Sequence, residues 1–401
     1  MTRDFTIRKR VYLVAIIFLL GALLFMVTQQ FMADFYWRIA QQHGEEINEM
    51  MSHLEKCVVI DDDNPLFHFS LGRAYLHKGL TSSTEISGKN KWVRRSIDEF
   101  HRAISLEPVN SDYHFHLAIS YGSFLYPPSF YWEVIENAFK KAFLLNPTDT
   151  RHLFSMGAYY LNKHQWLKNL AGNNKRSNFA HYKGYAERAR YNCQFFFKNL
   201  LDLNEEYLGK ILNLCFSVTQ EYGFLRGVIR NTANDHAILA RFLDGKEMWK
   251  EAKGEYREAI NLEPNNPFHY FRFAHALYRR GYYADATYWW RKQKALDPRD
   301  ERPYLFSADS FVRVGRFDDA LRELHELVSL YPEDSKYRVK VIRTLLTAGR
   351  KDEAIEEFRK MTARNSHVVE ETYGRILHHR NTGNYSMATK ILNEALLSFQ
   401  K

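Results

Sequence analysis

The chain is poor in the residues that bend or staple a backbone. Its 10 prolines and 19 glycines in 401 residues are too few for collagen-like, low-complexity or turn-dense all-β chains, which need them at frequent bends. The 3 cysteines, Cys57, Cys193 and Cys215, form no CxxC pair, which excludes a zinc ribbon, a thioredoxin-type redox pair and a disulfide framework. Small buried fillers is the reading that fits them. No P-loop, GxGxxG, HExxH, GxSxG or EF-hand loop occurs, so no catalytic, cofactor or metal motif is expected. His378 and His379 are adjacent rather than one helical turn apart, and His114 and His116 lie two apart on a helix, so neither pair is placed to share a metal. What is present is ordinary for a folded chain: 45% hydrophobic and 26% charged residues, with 56 basic against 47 acidic giving a net +9. Long helices fit this composition best.

Charge and hydropathy divide the first sixty residues. Residues 11–33 (VYLVAIIFLLGALLFMVTQQFMA) carry no charge; as a helix they reach about 34 Å, enough for a hydrocarbon core of about 30 Å. The expectation is one N-terminal transmembrane anchor. A secretory signal peptide is the alternative, but its apolar core is shorter and no A-x-A-like site follows Val27. Arg3, Arg8, Lys9 and Arg10 precede the run, whereas Glu45, Glu46, Glu49 and Glu55 follow it. The positive-inside bias then keeps the tail, residues 1–10, in the cytoplasm and puts the rest of the chain on the extracytoplasmic side. Phe35, Tyr36 and Trp37 stand where amphipathic rings favour the outer interface. Residues 34–64 read as membrane-proximal helices.

The strongest signal is a period of 34 residues. Gly281, Gly315, Gly349 and Gly383 share it, as do Ala252, Ala286, Ala320, Ala354 and Ala388, and Pro264, Pro298 and Pro332. Between these markers two amphipathic helical patterns alternate, for example NPFHYFRFAHALYRRG and YYADATYWWRKQKALDP. Each marker has a physical role in a helical hairpin. Glycine ends the first helix with positive φ, alanine lets the two helices approach, and proline ends the second helix. Four residues after the alanine a large side chain, Tyr256, Trp290, Leu324, Phe358 or Leu392, fills the groove to the neighbouring hairpin. One hairpin alone cannot bury that face, so the units must stack.

This pattern resembles the tetratricopeptide repeat (TPR) family, whose hairpins carry a small residue at position 8, an aromatic at 11, alanine at 20, a bulky residue at 24 and proline at 32. The resemblance implies an all-α, TPR-type α-solenoid, a right-handed superhelix of helical hairpins. Residues 233–266, 267–300, 301–334, 335–368 and 369–401 align as five units without a gap, Ser366 standing where the fourth would have its proline. Residues 65–161 fit the same frame with insertions: Leu71, Gly72 and Tyr75, then Ala103 and Pro108 after a polar loop at 80–91, then Phe139, Ala142 and Pro147. Residues 162–232 read as a divergent helical connector.

In such solenoids the first helix of every hairpin lines the concave surface through positions 2, 5, 6, 9, 12 and 13. The resemblance therefore nominates Arg73, Arg241, Phe268, Phe271, Arg272, His275, Tyr278, Arg279, Arg302, Phe306, Arg313, Lys336, Lys340 and Arg343. That groove is basic and aromatic. Guanidinium groups grip carboxylates bidentately and rings give contact area at small entropic cost, so an acidic peptide or protein segment is the expected guest. The lysine and asparagine set with which chaperone-binding TPR domains clamp a C-terminal carboxylate is missing: positions 5 and 9 are Ala237 and Arg241, Phe271 and His275, Leu305 and Asp309.

Two further segments stand out. Residues 162–184 are basic, aromatic and long for a connection, which suits either a partner contact or disorder; anionic lipid headgroups or an acidic glycan suit that charge better than nucleic acid on the extracytoplasmic side. The last helix keeps Ile391, Leu392, Leu396 and Leu397 without a polar capping helix, a surface for self-association. The expectation is a non-enzymatic, membrane-anchored TPR scaffold, on the extracytoplasmic face of a cell membrane in a bacterial periplasm, serving envelope assembly, secretion or polysaccharide export. The alternatives are a cytoplasm-facing adaptor and an accessory subunit of a glycan or lipid assembly enzyme.

Overall fold

The computed structural model describes the backbone of residues 2–42, 46–81, 86–123, 131–173, 179–362 and 367–398, and their side chains except at 2–18, 21, 42, 86–87, 173, 179–180, 362, 367–370 and 398. Among the described residues the regular structure is entirely helical. The chain divides into two compact units, residues 1–205 and 206–401.

The N-terminal unit pairs its helices in chain order: α1 (Thr2–Gln42) with α2 (Ile47–Ile60), α3 (Pro65–Thr81) with α4 (Ile86–Leu106), α5 (Ser111–Gly122) with α6 (Trp132–Leu145), and α7 (Thr150–Asn173) with α8 (Phe179–Leu203). Among the described residues no helix is long and apolar enough to cross a membrane; the side chains of 11–18, on which the expected anchor depends, lie outside them. Leu19, Leu20, Leu23, Leu24, Phe25 and Phe31 are exposed. Ala33, the last residue of the expected span, is instead buried against Cys57 and Phe67, and the Cys57 thiol donates to its carbonyl at 3.4 Å. Burial pushes that thiol up to about 11. Of the three rings expected at an interface only Phe35 is exposed; Tyr36 stacks on His53 at 5.8 Å and Trp37 packs against the cluster around Met51, Leu54 and Leu71. Because α1 continues unbroken to Gln42, packing on α2 takes over where a free boundary was expected.

Two expected loops are largely helix. The polar segment 80–91 shrinks, since α3 reaches Thr81 and α4 begins at Ile86, and the long connection 162–184 is mostly the end of α7 and the start of α8. The reason lies in packing: His164, Leu167 and Ala171 recur at helical spacing and are buried, as are Ala186, Ala189 and Cys193 on the facing helix, and His164 Nδ1 donates to the Ala186 carbonyl at 2.8 Å. Polar residues around them mark solvated helix faces, not a loop. At Gly157 an added Cβ would stand 2.4 Å from Phe197 Cε1, so α8 lays a ring directly on the backbone of α7.

The C-terminal unit follows a single turn of 3₁₀ helix at Glu205–Tyr207 with α9 (Leu208–Thr219) and α10 (Tyr222–Val228). Five hairpins come next: α11 (Ala233–Gly245) and α12 (Trp249–Leu262), α13 (Pro267–Arg279) and α14 (Tyr283–Leu296), α15 (Glu301–Arg313) and α16 (Phe317–Leu330), α17 (Ser335–Thr347) and α18 (Lys351–Thr362), α19 (His367–Asn381) and α20 (Tyr385–Ser398). Each second helix packs on the first helix of the next hairpin. Gly281, Gly315, Gly349 and Gly383 all take positive φ, between 73° and 81°, closing the turn with bonds such as Tyr282 N–H to the Leu277 carbonyl at 3.0 Å. In the first of these hairpins the same position is Glu247, with φ of 60°, so the turn is kept without the residue that suits it. The five alanines of the period are fully buried, as is Trp290. Two residues beyond each proline an Asn or Asp caps the next helix: Asn266, Asp300 and Asp334 accept from Phe268, Arg302 and Lys336 N–H at 3.1, 3.0 and 3.0 Å, each worth about 1 kcal/mol.

A buried clamp also recurs within hairpins. His68 meets Glu99 at 2.7 Å, His236 meets the fully buried Glu255, and Arg338 meets Glu357 at 2.7 Å. In each pair a base near the start of the first helix holds a carboxylate on the second. Burial alone would lower His68, but Glu99 and the Asp62 carbonyl outweigh it and raise it above its usual range.

Candidate functional site

The C-terminal unit carries the basic surface that the repeat frame nominates, but the structure splits it. Between α11 and α13 lies a cavity of about 340 Å³ lined by Arg241, Arg272, Arg279 and His275, with Phe268 and Phe271 as a wall. The Arg272 guanidinium lies 4.2 Å above the Phe268 ring and reaches Asn234 Oδ1 at 3.5 Å. Among the described residues no carboxylate pairs with Arg241 or Arg272. Burial, then the charge of Arg241, lowers Arg272 below its usual range. Burial and Arg279 likewise hold His275 down, keeping it neutral near pH 7. Asp244 is the one acid in the lining; it sits 3.5 Å from Arg279 but 2.6 Å from Arg280 on the rim. The cavity lining therefore carries more basic than acidic charge, its one carboxylate being held more closely by Arg280 than by any lining cation.

A second cavity, about 430 Å³, lies between α15 and α17, with Lys336, Lys340 and Arg343 above an apolar floor of Leu305, Val312 and Val339. Lys336 is engaged by Glu301 at 3.1 Å and Asp334 at 3.0 Å. Among the described residues Lys340 and Arg343 have no acidic partner, and Arg343 also lines a third cavity with Leu346, Thr389, Asn393 and Leu397. Of the α20 residues expected to form a self-association surface, Ile391, Leu392 and Leu396 are instead buried in the core against the preceding hairpins, and only Leu397 is exposed and lines this cavity.

The middle of the groove is different. Phe306 stacks on Trp290 at 5.4 Å and 20° and touches Phe271, His275 and Tyr278 at 5.8, 5.4 and 5.6 Å. Arg302 lies 4.6 Å above Phe271 but is forked onto Asp300 at 2.7 Å. Arg313 donates to Asp309 at 2.6 Å, and the Tyr278 hydroxyl donates to the same carboxylate. Arg302, Arg313 and Lys336, nominated as groove residues, have their charges met inside the chain. The missed acids Asp309 and Asp300 had a signal, since Asp309 and Arg313 are spaced i, i+4 on one helix. Asn234, which sits on Arg272, had none.

Arg73 belongs to the N-terminal unit and lines a cavity there with Trp37, Met50 and Leu54. The same unit gathers Asp112, Asp149 and His152 so that one ligand atom of each lies within 4.8 Å of the others. Arg151 lies 2.8 Å from Asp149 and 3.6 Å from Asp112, and His152 Nε2 is 3.0 Å from Asp112, so the carboxylates are met by protein donors. Despite burial, bonds from the Arg151 side chain and from the His152 backbone N–H hold Asp149 down to about 2.

Stacked helical hairpins around a grooved face define an α-helical repeat scaffold for protein interactions. The tetratricopeptide repeat family profile matches residues 307–367, within the stretch where the 34-residue period and the helical hairpins coincide. No curated protein matches it in sequence. Similar solved structures include MamA residues 41 to the end from Desulfovibrio magneticus RS-1 (16% identity, TM-score 0.30, covering 41% of this chain and 96% of that one). Others are YrrB, a TPR protein with an unusual peptide-binding site (12%, 0.25, 71% and 95%), and yeast Tom70 (15%, 0.29, 90% and 84%).

Proposed function

We propose that the protein is a non-catalytic, membrane-anchored scaffold that holds an acidic, extended segment of a protein partner in the groove of its C-terminal unit. One observation carries the reading: Arg241 and Arg272 line a cavity with an aromatic wall and without a carboxylate of their own. Two neighbouring guanidiniums repel unless an anion joins them, so the site gains most from a carboxylate that arrives with the partner. Lys340 and Arg343 offer a second anchor, and the aromatic stretch at Phe271 and Phe306 offers contact between them.

The setting is part of the proposal. Exposed apolar side chains on α1 from Leu19 to Phe31 and the basic residues before them support an anchor with its N-terminus in the cytoplasm and the repeats on the extracytoplasmic side. A bacterial periplasm, with work in envelope assembly, secretion or polysaccharide export, is the setting this fits. A C-terminal reporter active only in the cytoplasm stays silent if the topology is right; its activity would make the protein a cytoplasm-facing adaptor.

For the groove, the probe is a fluorescent oligoglutamate, with oligoglutamine as the neutral control. Arg241→Glu with Arg272→Glu weakens oligoglutamate binding by about a hundredfold, two charge-assisted contacts being lost, and Arg343→Glu weakens it further. Helical content stays unchanged, because all three side chains stand outside the core. Unaltered binding removes the basic groove from the account.

A further inference from the structure

Arg73 does not share the basic environment of the other nominated residues. It stands on a cavity of about 510 Å³ formed by α1, α2 and α3 and closed by His116 of α5, a volume usual for small-molecule sites. We propose that this cavity binds one anionic membrane lipid, its headgroup on Arg73 and an acyl chain along Trp37, Met50, Leu54, Leu76 and Leu80. The proposal rests on the reading of α1 as a membrane anchor.

Three observations carry it. The first is charge: among the described residues no carboxylate pairs with Arg73, whose guanidinium lies 5.7 Å from the Phe69 ring. Among the described residues no acidic side chain lines the cavity. The second is the wall, where Leu54, Leu76 and Ala74 are buried beneath the opening and Leu80 is exposed on its rim. A lone cation over an apolar wall matches an amphiphile better than a polar metabolite. The third is continuity. Trp37 follows the exposed apolar stretch of α1 by six residues, about 9 Å along the helix from Phe31. The cavity thus opens where an apolar rod gives way to packed protein, the depth at which lipid headgroups lie.

His116 narrows the headgroup class. Its Nδ1 donates to the Asp112 carbonyl at 2.8 Å, which leaves Nε2 as an acceptor. Burial first, with Arg73 adding to it, holds this ring down to about 4, so it stays uncharged beside the guanidinium. An anionic phosphate on Arg73 and a hydroxyl toward His116 describe a glycerol-type headgroup rather than a zwitterionic one.

The full-length chain is purified in dodecyl maltoside and examined by native mass spectrometry with lysophosphatidylglycerol and with lysophosphatidylcholine. One lysophosphatidylglycerol is retained in preference to lysophosphatidylcholine. Arg73→Gln lowers its affinity about tenfold. Leu80→Glu, on the exposed rim, lowers it as well, with circular dichroism unchanged for both variants. Equal retention of the two lysolipids, or indifference to both substitutions, overturns the proposal. Displacement by glycerol phosphate would make it a small-anion site, and displacement by oligoglutamate a peptide site; either also overturns it. Alkaline extraction of native membranes tests the anchor separately. Release by alkali would remove the anchor while the adduct read in detergent still reports on the lipid site.

Discussion

Replacing Glu255 with alanine destabilises the C-terminal unit by about 3–5 kcal/mol, the usual result of removing one member of a buried charged cluster. Glu255 is fully buried on α12 and is shared by three partners: the Tyr222 hydroxyl, His236 Nδ1 and Arg226 at 3.7 Å. The cluster joins α10 and α11 to the second helix of the first hairpin. Truncation leaves the tyrosine and histidine donors without an acceptor in a dry site, where each orphan costs about 1–3 kcal/mol. The thermal midpoint falls by about 10 °C for a unit of this size. The sign of the pH dependence follows from the carboxylate. Burial raises its pKa, but the bonds from His236 and Tyr222 outweigh burial and hold it below the unfolded value of 4.5. Its contribution is therefore full above that value and is lost as pH falls through the lower folded one. Glu255→Gln flattens the acid limb of the stability profile; an acid limb identical to that of the unaltered chain would show that the clamp carries no net charge effect.

Trp290→Ala costs about 3–5 kcal/mol in urea unfolding, by loss of a fully buried ring and the cavity left behind. Trp290→Phe costs far less. The indole Nε1 is buried without a hydrogen-bond partner, so the phenyl ring removes an unsatisfied donor while keeping most of the apolar volume. The same pair of variants reports on the groove, because Trp290 is the surface on which Phe306 stacks and Tyr278 rests at 5.7 Å. Trp290→Ala lowers oligoglutamate affinity without touching the ligand, and Trp290→Phe restores most of it. If both variants destabilise equally, packing at position 24 of that hairpin is not what holds the groove.

The hairpins were legible because each marker acts locally. Positive φ at Gly281, contact at Ala286 and termination beside Pro298 depend on a few neighbouring residues, and the 34-residue period repeats them. The N-terminal half was harder to read for the same reason. At 162–184 polar residues and isolated glycines imitate a connection, while the apolar spacing that makes α7 and α8 one long hairpin is satisfied only by a partner helix. The nominated groove residues lie on the first helices of their hairpins but differ in whether an acid already meets their charge. Arg241 and Arg313 both lie on the first helix of a hairpin; one has no acid, and the other is held by Asp309 together with a tyrosine from the preceding hairpin.

By itself the sequence determined the helical hairpin, its 34-residue length and the order in which five of the hairpins stack, because periodic burial and backbone termination are written in neighbouring residues. Only the tertiary structure decided which cations remain unpaired. Asp300 and Asp309 meet Arg302 and Arg313 along one helix, whereas Asn234 reaches Arg272 and Tyr278 reaches Asp309 only across stacked hairpins, and a charge is available to a ligand only when no group within the fold has met it first.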